Sequence, residues 1–228
     1  MLAALGVLAV AATVSGMNKV AEEQRALRDA QIADELIAMR EADQAIRALM
    51  FGAVPDTEPL SAERVRALDA ERVRLDHENV ARLSAILDEL GEWPSISRFD
   101  GLSSQSACAI AVHGVKDPAF MERAQILMEP LVRIGDADPE CWAQVTDRLL
   151  VARGAPQLYG TQMRSEERDG QIYWGSAPIQ QPDDLIARRA AVGLTDYEEY
   201  LARMRRDYHV PDAALPFPDE PPSSAPAL

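Results

Sequence analysis

Between residues 18 and 50 the chain has neither proline nor glycine, and Leu36, Met39, Ile46 and Met50 recur at helical spacing on one stripe. That period predicts one long helix, broken where Gly52 and Pro55 follow. Asp43 falls on the same stripe as the hydrophobic residues. A second helix is expected from Ser61, whose hydroxyl precedes an acid in Ser61-Ala62-Glu63-Arg64, to about Leu90, with Gly91 and Pro94 ending it. Its apolar stripe is Leu75, Leu83, Ile86 and Leu90, with Asn79 in the gap, whereas arginine and glutamate dominate 63–74 and predict a solvated stretch.

The run from Ser104 to His113 is apolar on all sides and bounded by Gly101 and Gly114. Such a helix has no face to give to water, so it belongs at the centre of the fold. Asp117-Pro118 and Asp138-Pro139 are matching start signals, each with proline in the first turn. The first opens a helix carrying Phe120, Ile126, Leu127 and Leu131, the second one carrying Trp142, Val145, Leu149 and Leu150. The period then changes: Tyr159, Thr161 and Met163 alternate with polar neighbours, and Asp169-Gly170 precedes Ile172 and Trp174. Alternation around an Asp-Gly pair predicts a small hairpin. Helix resumes near Pro182, breaks at Gly193 and restarts at Thr195. Beyond Pro211, five further prolines stand among serine and alanine without periodicity, which predicts a disordered or extended tail. The expected fold is mainly α: a single helical domain with long N-terminal helices and a small β-hairpin near 158–175. Its expected limits are 18–207, after a signal-like apolar segment at 1–17 and before a Pro-rich tail at 208–228.

Hydrophobic residues make up 47% and charged residues 26% of the 228 positions, enough apolar material for a sizeable core. The net charge of −14 argues against nucleic acid as a partner, because phosphate binding needs a basic face. Residues Leu2 to Val14 are apolar apart from Gly6 and Thr13. The run is shorter than the roughly 20 residues of a membrane span, and has the length of a signal-peptide core followed by small residues. No basic residue precedes it. Export to the periplasm or beyond is the expectation, with a cytoplasmic protein as the alternative if Met17 is the true start. Cys108 and Cys141 are too few for a zinc site. In an exported chain one disulfide is open to them, while in apolar helices free cysteines also serve as small hydrophobes. No Gly-rich phosphate loop, HExxH or nucleophile elbow occurs, and His77, His113 and His209 lack metal-ligand spacing, so neither metal nor cofactor is expected.

Candidate chemistry lies in polar residues where the pattern calls for apolar ones, since a buried charge needs a partner. Asp43 and Arg47 (i, i+4) share one helix face, and Asp76 and Asn79 (i, i+3) share another. His113 ends the most buried helix. Asp147 and Arg148 follow an apolar helix face, and Gln157, Tyr159, Gly160, Thr161 and Gln162 form an uncharged, hydrogen-bonding cluster. Arg188 and Arg189 are adjacent on a helix, so one of them points inward, to bind an anion or to pair with Asp147.

These residues also carry a resemblance. Through Asp43-Gln44 and Arg47, Asp76 with Asn79, Val112-His113-Gly114, Thr146-Asp147-Arg148, Pro156-Gln157-Leu158-Tyr159-Gly160-Thr161-Gln162, Arg188-Arg189 and Gly193-Leu194, the chain resembles the bacterial domain-of-unknown-function family 6624 over about residues 35–203. Where that family tends to read Gln-His-Ala-Asp, this chain has Val112-His113-Gly114-Val115, and Asp117 is the nearest following acid. The resemblance implies a mainly helical, often exported domain with no known activity. It implies that His113, Asp147, Arg148 and the 157–162 segment belong to one site.

Two functions follow. In a metal-independent hydrolase or transferase, or a degenerate one, His113 is the acid/base, Asp147 or Asp76 orients it, Arg148 or Arg189 binds a substrate anion, and Tyr159 to Gln162 line the pocket. The ligand is then an unidentified small molecule or peptide. In a non-catalytic binding or scaffolding module of the cell envelope, the same residues form satisfied buried networks and a protein partner binds elsewhere.

Overall fold

The computed structural model describes residues 2–50 and 60–218, with side chains from residue 18 onward. The expected break at Gly52 and Pro55, and the prolines beyond residue 218, lie outside the described residues. The chain is mainly α-helical. Helix α1 spans Leu2–Met50 and α2 spans Ala62–Leu90. The short α3 (Ile96–Phe99) leads into α4 (Gly101–His113), α5 (Pro118–Arg133) and α6 (Pro139–Ala152). Strands β1 (Met163–Arg168) and β2 (Gln171–Ser176) follow, then a 3₁₀ turn at Pro182–Asp184, α7 (Leu185–Ala191) and α8 (Tyr197–Asp207). Among the described residues no helix is long and apolar enough to cross a membrane.

Helix α4 is the hub. It packs against α1, α2, α3, α5 and α6. Serine, alanine and cysteine fill most of its length, and Ser103, Ser106, Ala107 and Ala111 are buried. Side chains this small let neighbouring helices approach closely from every direction. Ile32 and Leu36 of α1, Leu83, Ile86 and Leu87 of α2, Met121 and Met128 of α5 and Val145 of α6 complete one core. The disulfide Cys108–Cys141 joins α4 to α6 within it.

Local chemistry sets the helix ends. Ser61 accepts from the Arg64 amide, Asp117 from Phe120 and Asp138 from Glu140, and each side chain satisfies a donor that the first helical turn leaves unpaired. Gly91 closes α2 with φ +68, its amide bonded to the Leu87 carbonyl. Helix α3 borrows its cap from a distance: Asp136 accepts from the Ser97 amide at 2.7 Å and from its hydroxyl at 2.8 Å.

Some expected faces differ. On α5 the buried row is Phe120, Met121, Ala124 and Met128, while Ile126 is exposed. The row facing the core starts from the capped first turn and runs at i, i+1, i+4 and i+8, which turns position 126 outward. Residues 63–74 of α2 are largely solvated, as the pattern predicts, with Leu68 the buried exception. The hairpin forms with Arg168 paired to Gln171 across Asp169-Gly170, both at positive φ (53 and 77), as a two-residue turn with right-handed strand twist requires. The first part of the tail turns at 208–209 and again at 212–213 and then docks on the hairpin at Leu215. The Leu215 carbonyl accepts from the Trp174 amide and its own amide donates to the Ile172 carbonyl, adding a short parallel pairing at Tyr173. Phe217 lies under the Arg164 guanidinium. An open strand edge recruits a segment with a free amide, and Pro216, which has none, follows Leu215 and keeps the pairing short.

The disulfide closes a span of 33 residues, which in the chain-entropy view contributes roughly 3–4 kcal/mol. Reduction of the native protein is expected to lower the urea midpoint accordingly. Equal midpoints with and without reductant would show that the bond adds nothing to this core.

Candidate functional site

Three helices converge on one polar cluster. Asp43 and Arg47 come from α1, Asp76 from α2, and His113 from the last turn of α4. Asp43 is enclosed, while the His113 side chain keeps 22% of its surface exposed. Arg47 holds the cluster together: Nη2 lies 3.0 Å from Asp43 and 2.5 Å from Asp76, so one guanidinium bridges two carboxylates on neighbouring helices. Arg72 reaches Asp76 from its own helix at 2.8 Å and also binds Asp69 at 2.7 Å. Gln44 donates to Asp43 at 2.8 Å. Asn79, one turn beyond Asp76, points back to the Met39 carbonyl at 3.5 Å.

His113 Nδ1 lies 3.1 Å from Asp43 and 3.2 Å from Arg47 Nε. One ring nitrogen either donates to the carboxylate or accepts from the guanidinium; it cannot do both at once. The position of a single proton therefore decides which neighbour the imidazole binds. Nε2 has no hydrogen-bond partner among the described residues. The two acids differ. Burial works against ionisation of Asp43, but the hydrogen bond and charge of His113, with Arg47, outweigh it and hold the carboxyl below its ordinary range. For Asp76 burial prevails over Arg47, His113 and Arg72, and its carboxyl is raised. Asp43, Asp76 and His113 each offer a metal-ligand atom within 4.8 Å of one another. Arg47 already lies against both carboxylates and supplies the positive charge that a cation would bring.

His113 forms part of the wall of two cavities. One, of about 590 Å³, is bordered by Arg72, Asp76 and Lys116 together with Val73, Val80 and Val115. The other, of about 380 Å³, is bordered by Arg40, Gln105, Gln144 and Arg203. The larger lies within the usual size range of small-molecule sites.

The remaining candidate residues form a second assembly, centred on Asp147. Its carboxylate is fully enclosed and accepts from the amides of Leu158 (2.7 Å), Tyr159 (3.0 Å) and Thr161 (2.9 Å) and from the Thr161 hydroxyl (2.9 Å). The chain curls around it because Gly160 takes φ +71, and a side chain there would meet the Tyr197 ring at 2.7 Å. Gln157 binds Gln162 through both main-chain groups and also donates to the Ala177 carbonyl. The outward carbonyls are taken as well: Leu158 by Arg188, Tyr159 by Arg189, and Thr161 by the Tyr200 hydroxyl. Arg189 is buried and makes no ion pair among the described residues. It rests on carbonyls and between the rings of Tyr197 and Tyr200, and burial lowers its pKa.

Arg148 connects the two assemblies. Nε donates to Gln162 Oε1 at 2.9 Å and Nη1 to the Val112 carbonyl at 2.6 Å, one residue before His113. Asp43, Arg47, Asp76 and His113 are thus brought together with Asn79 beside them. Asp147, Gln157, Tyr159, Thr161, Gln162, Arg188 and Arg189 meet in a separate, enclosed group. Sequence reasoning offers Asp147 or Asp76 to orient His113, and the residue on Nδ1 is Asp43. Its place on an apolar stripe was the available signal. Arg40, Arg72 and Lys116 carry no such signal, because arginine and lysine on a solvated helix or loop are ordinary.

Asp147→Ala strands three amides and a hydroxyl, so a loss of roughly 3 kcal/mol or more in urea unfolding is expected; a loss below about 1 kcal/mol would contradict the anchoring role. Asp43, held below its ordinary range, contributes stability that is complete above about pH 4 and fades as the pH falls through its folded value. Asp43→Asn is therefore expected to show a stability deficit that narrows on acidification. A constant deficit from neutral to acid pH would refute the depressed carboxyl.

No curated protein and no solved structure matches the chain. A family model does, over residues 30–211, which takes in both assemblies. The chain belongs to the family of unknown function DUF6624.

Proposed function

We propose that this domain performs acid/base chemistry, hydrolysis or group transfer on a small molecule or peptide, with His113 as the group that moves the proton. The observation that carries the proposal is the 3.1 Å contact between enclosed Asp43 and Nδ1 of a histidine that opens on two cavities. A buried carboxylate behind an imidazole fixes its orientation and stabilises the imidazolium formed when Nε2 takes a proton from water or a hydroxyl. Arg72 and Lys116, on the wall of the larger cavity, are suited to the negative charge that develops on a carbonyl or phosphoryl oxygen. Arg47 balances the two acids, so the site carries its own positive charge. Asp147, Arg148 and the 157–162 segment act as the template that fixes the end of α4.

We further propose export. The apolar run Leu2 to Val14 has the length of a signal-peptide core, and the Cys108–Cys141 disulfide suits an oxidising compartment. A second reading, a non-catalytic binding or scaffolding module of the cell envelope, is favoured by one observation: the polar groups of 157–162 are spent on one another and on Asp147.

A panel of p-nitrophenyl esters and phosphates tests the first reading. His113→Gln is expected to keep its circular dichroism and lose turnover by about 10²–10⁴-fold, with Asp43→Asn also impaired. Turnover unchanged in His113→Gln, or none by the wild type across the panel, would favour the binding module.

A further inference from the structure

The larger cavity beside His113, of about 590 Å³, has a wall made mainly of carbon. One side comes from a single stripe of α2, where Val73, His77, Val80, Ala81 and Ser84 recur at i, i+4, i+7, i+8 and i+11. At 1.5 Å per residue that stripe runs for roughly 16 Å, so the wall is long. The other side is the segment from Gly114 to Asp117 that follows α4, with Val115 in it. Val73 and Val115 keep 44% and 40% of their surface exposed, while Val80 is buried. A lone exposed valine is ordinary, but these two border one cavity from separate elements, and Val73 stands between Arg72 and Arg74 in the solvated part of its helix. The charges around the cavity cancel: Arg72 and Lys116 are matched by Asp76 and Asp117. Arg72 is held by Asp69 and Asp76, Asp76 also by Arg47, and Asp117 accepts from the Phe120 amide. Lys116 makes no ion pair among the described residues, and Asp117 beside it offsets its charge. In a chain of net charge −14, this balanced rim selects for no ionic ligand.

We propose that the ligand of the His113 site is an uncharged molecule with an apolar chain. Val73, Val80 and Val115 hold the chain in the larger cavity, and its polar end meets the imidazole. The assignment rests on the acid/base reading only for what happens at that polar end, because holding a chain needs no turnover. Each methylene withdrawn from water onto the valine wall tightens binding about fourfold, so affinity follows chain length.

Calorimetry on the full chain with hexan-1-ol, octan-1-ol and octanoate tests it. Octan-1-ol is expected to bind roughly fifteenfold more tightly than hexan-1-ol, for two added methylenes, and octanoate no more tightly than octan-1-ol. Val73→Asp and Val115→Asp, at exposed positions, are expected to keep their circular dichroism and to weaken octan-1-ol about tenfold or more. Ile126→Asp, exposed on α5 and outside the cavity wall, is expected to leave it unchanged. Equal affinity for the two alcohols, undiminished binding in both valine variants, or octanoate held tenfold more tightly than octan-1-ol would overturn the proposal. So would sedimentation of the wild type as a dimer that Val73→Asp divides, because a second copy would then cover the valines. Binding that follows chain length in a protein inert toward the ester and phosphate panel leaves this assignment standing and removes only the acid/base reading, so the two failures are distinguishable.

Discussion

Asp43 and Asp76 face each other from two helices that must pack, and Arg47 lies between them. Without that guanidinium, α1 and α2 would press two carboxylates together in a partly dehydrated space, at a cost of several kcal/mol. With it, the acids become a seat for the end of α4. His113 enters a site whose charges are already matched, and its own proton is the one left undetermined. The unequal acids follow from the same arrangement. Asp43 has the imidazole hydrogen bond and is held low, whereas for Asp76 burial, with the charge of Asp43 beside it, prevails over the neighbouring cations.

Precision at His113 is inherited from elsewhere. Helix α4 has few large side chains to lock it in place, so its last turn is fixed by polar contacts. The disulfide holds its middle to α6, and Arg148, two turns beyond Cys141, holds the Val112 carbonyl. A cation at a helix C-terminus also favours the dipole. The other end of Arg148 rests on Gln162, which Gln157 and the Asp147 loop hold still. The enclosed loop thus sets a boundary for the open cluster through Arg148.

Local signals were legible in the sequence. Ser61, Asp117 and Asp138 marked helix starts that their side chains do cap, and Asp169-Gly170 marked the hairpin turn. Polar residues on apolar stripes, Asp43 above all, pointed to the interior cluster. Pairings over long separations were not legible, because no local period encodes them. Asp43 meets His113 across 70 positions, Asp136 caps α3 from 39 positions away, and Leu215 finds the hairpin edge. The two cysteines carried no pairing signal in apolar helices that suit free thiols equally well. Asp147 lay beside Arg148 in sequence, yet the two side chains leave the helix in different directions and serve different partners.

Helix α1 continues well outside the body. Side chains from Asn18 to Leu27 are exposed, and the first anchoring contacts are Arg28 with Glu89 and Asp29 with Arg98. Ten residues at 1.5 Å each make a rod of about 15 Å. A helix without proline or glycine resists bending, so this rod fixes direction as well as distance. A segment attached at residue 18 is therefore carried about 15 Å beyond the first anchored turn of α1, in the direction that the helix sets.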